Sequence, residues 1–185
     1  MTEGAIPRLR TERLLLREWL DGDREPFAAL NADPEVAEYL GGPLDRAGSD
    51  RLVDRIRARW RSDGHGLWAV ERLDDGLFIG FVGLAAPSFD APFTPCVEVG
   101  WRLARSAWGQ GFATEAAREA VRFGFEELGL EEIVSFTVPA NVRSRAVMER
   151  LGMTRDPADD FDHPGRPPGD PLRRHVLYRL SASGR

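Results

Sequence analysis

Residues 108–114, with the sequence WGQGFAT, combine residue types and a spacing that suit an anion-binding turn. Gly109, Gly111 and Ala113 keep side chains away from the backbone N–H groups at the start of a following helix. Those N–H groups have no partner inside the helix, and they lie at the positive end of its dipole. The turn therefore predicts an anion site, best suited to a pyrophosphate. Because a short Gly-x-Gly pattern also occurs in ordinary strand-to-helix turns, the neighbouring segments must decide between the two interpretations.

The neighbouring segments predict two successive strand-to-helix units. Residues 97–103 alternate in hydrophobicity and are rich in β-branched and aromatic side chains, which is typical of a strand. Apolar positions recur at helical spacing from Ala113 onwards. Residues 133–138 predict a second strand, and a short helix over residues 142–151 follows it. Gly152 provides the natural C-terminal end of that helix.

This order of elements, with its Asn-x-x-Ser helix start and Leu-Gly-Met end, resembles the GNAT N-acetyltransferase superfamily. The string WGQGFATEA is most similar to the RimJ/RimL-type branch, and so are the predicted first strand (residues 11–17, TERLLLR) and residues 33–36 (DPEV). The resemblance spans residues 8–178. It implies an α+β GNAT fold: a mixed, twisted central sheet of about seven strands with helices on both faces. The fourth and fifth strands of such a sheet splay apart.

The rest of the chain predicts further helices and strands. Asp21 is expected to cap a first helix, and Ser49 a second helix with an apolar stripe that ends before Gly64. A hairpin is predicted to turn at residues 74–76, which are Asp-Asp-Gly. Residues 156–170 are rich in Asp, Pro and Gly and predict a loop. The last strand is predicted over residues 172–180.

Composition narrows the class of protein. The chain has 185 residues, of which 42% are hydrophobic, and we expect a single domain over residues 1–185. One cysteine excludes a disulfide framework, and the lack of a signal peptide or long apolar run predicts a cytoplasmic protein without a membrane partner. The net charge of −5 argues against a nucleic-acid partner. The three histidines and Cys96 do not fall at ligand spacing, so no metal is expected.

The resemblance implies acetyl-CoA as the acyl donor, with its pantetheine arm in the gap between the splayed strands. Residues 101–103 would offer backbone groups to pantetheine, and residues 108–114 would hold the pyrophosphate. Asn141 would line the opposite side of the gap, although its type also fits a turn or a helix start. The implied cofactor-binding residues are Trp101, Arg102, Leu103, Trp108, Gly109, Gln110, Gly111, Phe112, Ala113, Thr114 and Asn141. Trp108 stands where the superfamily more often has Gln or Arg.

Acetyl transfer to an amine needs a neutral nitrogen, a polarised thioester carbonyl and a proton for the departing thiolate. The resemblance makes Glu98 the candidate general base; the alternative, a cross-strand pair with an arginine, stays open. A backbone N–H near Val99 or Gly100 is the expected oxyanion donor. Met148 occupies the position at which many relatives carry a proton-donating tyrosine. Ser144, or a water that it holds, is the candidate substitute.

These features predict an acetyl-CoA-dependent N-acetyltransferase that acts by direct attack in a ternary complex. The acceptor is a primary amine, either a protein N-terminus or a small molecule. An α-amine with a pKa near ~8 is favoured slightly over a lysine-type amine with a pKa near ~10.4, because its deprotonation at neutral pH requires less free energy. The alternative is a non-catalytic acyl-CoA sensor, which Met148 keeps open. The oligomeric state stays open too, a homodimer included.

Two segments outside these motifs bear on the acceptor. By family topology, the acidic residues of 159–163 lie near the acceptor entrance and could bind a cationic acceptor. A solvated acidic loop is the alternative, and the favoured one. Phe89 and Phe93 line an acceptor pocket or pack in the core, and packing is favoured.

Overall fold

Alternating apolar residues build eight strands in the part of the chain that the computed structural model describes, residues 6–182. The strands are β1 (Leu9–Arg10), β2 (Leu14–Arg17), β3 (Leu67–Arg72), β4 (Phe78–Ala85), β5 (Glu98–Leu103), β6 (Glu132–Thr137), β7 (Phe161–Asp162) and β8 (Arg174–Ser181). They form one sheet in the order β1-β2-β3-β4-β5-β6-β8-β7. The expected mixed sheet is confirmed. Its short strand β7 lies inside residues 156–170, so the prediction of an uninterrupted loop there was wrong.

Five helices cover the two faces of this sheet among the described residues. They are α1 (Arg24–Ala32), α2 (Pro34–Ala37), α3 (Arg46–Asp63), α4 (Phe112–Glu126) and α5 (Val142–Arg150). Phe27 of α1 packs edge-on against Phe81 of β4, with ring centroids 6.0 Å apart. On the opposite face, α4 approaches β4 so closely that a Cβ at Gly124 would lie 3.0 Å from Leu84 Cδ1. Side chains alternate between the faces of a strand, so α1 and α4 lie on opposite sides.

Both predicted helix caps were wrong, because other carboxylates take the capping positions. Asp45 caps α3, and its Oδ1 accepts a 2.6 Å hydrogen bond from the Gly48 N–H. Ser49 lies inside α3 instead, where it is fully buried and its hydroxyl accepts a hydrogen bond from the Asn31 side chain. Asp21 begins a 3₁₀ turn that precedes α1 and makes no cap hydrogen bond. Gly64 ends α3 in the left-handed conformation (φ 70°), as predicted.

The pairing between β5 and β6 is the exception in the sheet. It is the one parallel pair among the described strands, and its register consists of the single pair Glu98–Val134. The Val134 N–H donates to the Val97 carbonyl at 2.9 Å, and no pairing follows further along the strands. The expected splay is therefore confirmed, although the two strands are the fifth and sixth of eight rather than the fourth and fifth of about seven. Since the two strands run in the same direction, α4 and α5 begin at the same edge of the sheet, beside the gap.

Gly83 of β4 and Gly100 of β5 are register partners, and we expect an alanine to destabilise the fold at Gly83 but not at Gly100. A Cβ at Gly83 would lie 2.2 Å from the Gly66 carbonyl oxygen, which is backbone and cannot move aside. We expect Gly83→Ala to cost about 1–3 kcal/mol of the free energy of unfolding or more. In a chain of this size, that lowers the Tm by roughly 2–4 °C per kcal/mol.

Gly100→Ala is the matched control, because its Cβ would meet only Glu98 Oε1, at 3.8 Å. Its Tm should stay within about 2 °C of wild type. Thermal unfolding of the two variants checks the pair, and equal Tm values would contradict the close approach of β3 to β4 at Gly83.

Candidate active site

The turn before α4 forms a cradle of free backbone donors. Gly109 and Gly111 adopt positive φ angles of 74° and 81°, which a residue with a Cβ adopts at a cost. Within the described chain, the N–H groups of residues 109–114 make no hydrogen bond. They lie at the N-terminus of a 15-residue helix, so the helix dipole adds to their attraction for an anion.

Glu115 fixes the start of α4 to the turn between β1 and β2. Its carboxylate accepts hydrogen bonds from the Thr11 hydroxyl at 2.6 Å, the Arg13 N–H at 2.9 Å and Arg13 Nε at 2.7 Å. Burial by itself would raise the pKa of Glu115, but these hydrogen bonds outweigh it and lower the pKa. Arg13 also donates to the Gln110 carbonyl at 2.9 Å. The glycine turn is therefore held in place by a turn that is distant in sequence.

A cavity of about 940 Å³ opens beside the cradle. It is large enough for a cofactor. Most of the expected binding residues line it: Trp101, Arg102, Leu103, Trp108, Gly109, Gly111, Phe112, Ala113, Thr114, Asn141 and the candidate catalytic residue Ser144. Two of the expected site residues do not, Gln110 and Glu98. The Gln110 side chain is exposed and donates to the Ser106 carbonyl at 2.8 Å, so that only its backbone belongs to the cradle.

Arginine side chains that sequence analysis missed surround the cavity. Arg118 of α4 and Arg150 of α5 line it and have no ion-pair partner within the described chain. Arg143 stacks on the Trp108 ring at 4.3 Å from its centroid and pairs with Glu38 at 3.4 Å. These side chains give the cavity a positive rim for a polyphosphate ligand. Arg143 lies in the first turn of α5, whereas Arg118 lies in the second turn of α4 and Arg150 is the last residue of α5. Their common position at one cavity follows from the packing of the two helices, which no local sequence pattern reveals.

Trp108 and the backbone of β5 shape the gap itself. Because the Val97 carbonyl is bonded to β6, the backbone groups of Val99, Trp101 and Leu103 also face β6, whereas those of Gly100 face β4. The Trp108 indole N–H donates to the Leu103 carbonyl at 3.0 Å. In the parallel pair Glu98–Val134, the bond from the Val134 N–H to the Val97 carbonyl is accompanied by one from the Val99 N–H to the Val134 carbonyl. This geometry favours Trp101, rather than Val99 or Gly100, as the source of an oxyanion donor at the gap.

Asn141 and Ser144 lie together on the far side of the gap. Asn141 caps α5: its Oδ1 accepts from the Ser144 N–H at 3.2 Å. Its Nδ2 donates to the hydroxyls of Thr137 and Ser144, both at 3.1 Å. The amide is thus engaged within the protein, and its bond to a cofactor stays a prediction. Met148 is buried in the core, 1% exposed, and does not face the cavity.

Glu98 lies on the opposite face of β5 from Trp101. Its backbone is paired with Ala85 and Val134, and its side chain is partly buried without an ion-pair partner among the described residues. The alternative of a cross-strand pair with an arginine is therefore not observed. Burial raises the pKa of Glu98 to about 8. A carboxyl group with that pKa suits proton transfer near neutral pH.

The acidic segment carries no free carboxylates for an acceptor. Asp159 pairs with Arg179 at 2.7 Å, Asp162 with Arg173 at 3.0 Å, and Asp160 with Arg155. Phe89 and Phe93 pack with Phe136, Phe161 and the neighbouring apolar side chains in a second hydrophobic cluster, as favoured. His163 and His175 join it, with ring centroids 5.2 Å apart.

A family model described as an acetyltransferase (GNAT) domain matches residues 13–154. The chain belongs to the GNAT acetyltransferase family. It is an N-acetyltransferase, and members of this family take their acetyl group from acetyl-CoA. Within residues 6–182 of this acetyltransferase, no helix is long and apolar enough to cross a membrane. The same residues contain no group of three or more His, Cys, Asp or Glu side chains that could hold a metal ion.

Three relatives show the breadth of the family. FsC-acetyl coenzyme A-N(2)-transacetylase from Aspergillus fumigatus is 36% identical over 178 residues, covering 91% of this chain and 74% of the relative. The structure of an acetyltransferase from Agrobacterium tumefaciens is 34% identical with a TM-score of 0.76, covering 96% and 95% of the two chains. Ribosomal-protein-S5-alanine acetyltransferase from Vibrio fischeri shares the fold (TM-score 0.72, 16% identity, 95% and 96% covered).

The cradle predicts a charge-specific loss of cofactor binding. Gly111→Asp would place a carboxylate among N–H groups that face an anion, so we expect acetyl-CoA binding to fall below detection in calorimetry. Gly152→Asp is the matched control, because Gly152 has nearly the same φ (82°) and lies at the end of α5, outside the cavity lining. The control should bind acetyl-CoA as wild type does. Unchanged affinity in the Gly111 variant would exclude the cradle as the phosphate site.

Proposed function

We propose that this acetyltransferase transfers the acetyl group of acetyl-CoA to a primary amine, by direct attack in a ternary complex. The proposal rests on the position of the cradle of N–H groups, which lies beside the open gap between β5 and β6. The pyrophosphate would bind the N–H groups of residues 109–114, under the positive rim. From there the pantetheine arm would run along the unpaired edge of β5, where Trp101 and Leu103 present backbone groups. The thioester would then lie between β5 and β6, at the point where their pairing stops.

Glu98 would act as the general base at this point, directly or through a water. It lies at the last paired position before the gap, on the face opposite the one that carries Trp101. A pKa of about 8 leaves a fraction of the carboxyl groups ionised at neutral pH and makes each one a stronger base than an exposed glutamate. The amine and the thioester carbonyl would meet between Glu98 and the backbone N–H of Trp101.

The departing thiolate needs one proton, and two hydroxyls of the cavity wall can supply it. Ser144 lies beside Asn141 at the start of α5, and it or a water that it holds is the proposed donor. Tyr39 was missed from sequence. Its hydrogen bond with Glu38 raises its pKa, so its hydroxyl stays protonated. A free thiol has a pKa of only about 8.5, so the demand on either donor is small.

The acceptor is proposed to be an α-amine, of a protein N-terminus or of a small molecule. The Aspergillus relative is named for transfer to an N(2) position, and the Vibrio fischeri neighbour for an alanine of ribosomal protein S5. Assignment to the RimJ/RimL-type branch rests on the string of residues 108–116 and on that neighbour. Acetyl transfer from labelled acetyl-CoA to a panel of amino acids, peptides and amines tests the function. Product with at least one amine supports it, and tight acetyl-CoA binding without product would favour the sensor alternative.

The raised pKa of Glu98 predicts the pH dependence of the reaction. The ionised carboxylate is the active form, so kcat/KM should rise with pH through about 8 and level off above it. Glu98→Gln keeps the size of the side chain and removes the base. It should lower the rate by about 10²–10⁴-fold near neutral pH and by less at high pH, where the amine deprotonates unaided.

Acetyl-CoA affinity, measured by calorimetry, should change little in Glu98→Gln, which separates loss of the base from loss of the cofactor. A pH–rate profile parallel to wild type, with less than about tenfold loss, would reject Glu98 as the base.

A further inference from the structure

Arg102 is a cation without a carboxylate partner in the described part of the chain. Its side chain is partly buried at the boundary between the main cavity and a small one of about 30 Å³ under α2. Among the described residues it makes one hydrogen bond, from Nη1 to Asn31 Oδ1 at 2.6 Å, and no ion pair. Its Nε is buried and has no partner. Burial lowers the pKa of Arg102 to about 10, which leaves the group charged at neutral pH.

The guanidinium is held in position by neutral contacts. Ser49, buried in α3, accepts a 2.9 Å hydrogen bond from Asn31 Nδ2, and this bond turns Asn31 Oδ1 towards Arg102. Below it, the ring of Phe81 lies 5.6 Å from the guanidinium carbon. Neither contact neutralises the charge, and a buried charge without a counter-ion is costly for folding. An anion that residues 6–182 do not supply would offset this cost.

Three residues of β5 make the position of Arg102 relevant to the acceptor. Side chains alternate along a strand, so Glu98, Gly100 and Arg102 share one face. Gly100 leaves the space between the two charged residues open, since a Cβ there would meet only Glu98 Oε1, at 3.8 Å. Phe81 of β4, the register partner of Arg102, flanks the guanidinium end of this strip. Its floor therefore offers a carboxylate at one end and a guanidinium at the other.

We propose that Arg102 determines acceptor specificity by binding the carboxylate of the acceptor, while the acceptor amine lies towards Glu98. The substrate class is then an amino acid or a similar small molecule that carries a carboxylate a few bonds from its amine. The N-terminal amine of a protein has no carboxylate a few bonds away, unless the side chain of the first residue supplies one. The proposed substrate class therefore excludes other protein N-termini. The inference rests on the proposed acetyl transfer, and its test separates the two.

Matched acceptor pairs test the inference. Wild type and variants are assayed with α-, β- and γ-amino acids, each beside its carboxamide, and the ratio of kcat/KM within a pair is compared between enzymes. The ratio cancels effects common to both acceptors. For at least one pair, wild type should favour the carboxylate, and Arg102→Gln should reduce that preference by about 10- to 100-fold, mainly through KM. Arg102→Lys, which keeps the charge but not the planar fork, should retain part of the preference.

Two controls distinguish recognition from a structural role. Arg122→Gln removes an arginine on α4 that pairs with Glu119 and Glu126, and it should leave the ratio as in wild type. A deaminated carboxylic acid of the best pair should inhibit wild type in competition with the acceptor, and should inhibit Arg102→Gln at least tenfold more weakly.

The possible results distinguish failure of the role of Arg102 from failure of the proposed acetyl transfer. A wild type that acetylates amines with no preference for a carboxylate, or an Arg102→Gln variant with the wild-type ratio, overturns the role of Arg102 and leaves acetyl transfer standing. If Arg102→Gln does not fold, three other measurements test the role of Arg102. They are the kcat/KM ratio of wild type, the inhibition of wild type by the deaminated acid, and the kcat/KM ratio of Arg102→Lys. A wild type that acetylates no amine of either class overturns the proposed function, and this inference with it.

Discussion

The end of the β5–β6 pairing at Glu98 and Val134 is the constraint on which the rest of the site depends. A longer ladder would satisfy the backbone of β5 internally and leave no edge for a ligand. Because the pairing stops, Trp101 faces open space, and the cavity of about 940 Å³ begins there. The parallel direction of the two strands then brings the starts of α4 and α5 to the two sides of one gap, with their dipoles and arginines.

Preorganisation of this gap comes from distant contacts rather than from the gap itself. Thr11 and Arg13 hold Glu115 and so fix the start of α4, while Asn141 caps α5 through Ser144. On the other face, Ser49 and Asn31 orient Arg102. Each contact reduces the ordering that a ligand would otherwise have to impose, which is how a folded scaffold favours binding.

The sequence predicted those parts of the structure that depend on neighbouring residues. The glycine turn, the strand-to-helix units and the end of α3 at Gly64 follow from local backbone rules. The errors concern long-range partners. Ser49 has the type of a cap, but Asp45 lies nearer the helix start and Ser49 bonds to Asn31 instead.

The acidic segment is a second case of the same kind. Asp159 pairs with Arg179 on β8, a partner that no local pattern reveals. The positive rim could not be predicted without the topology either, because Arg118 and Arg150 belong to different helices.

Residue-resolved amide exchange of β5, measured with and without CoA, tests most directly whether the cofactor arm lies in the gap between β5 and β6. We predict that CoA slows exchange of the Trp101 amide, which faces the gap, and leaves exchange of the Gly100 amide, which faces β4, nearly unchanged. Exchange at Trp101 that stays as fast with CoA bound, while the amides of residues 109–113 respond, would contradict a cofactor arm lying in the gap.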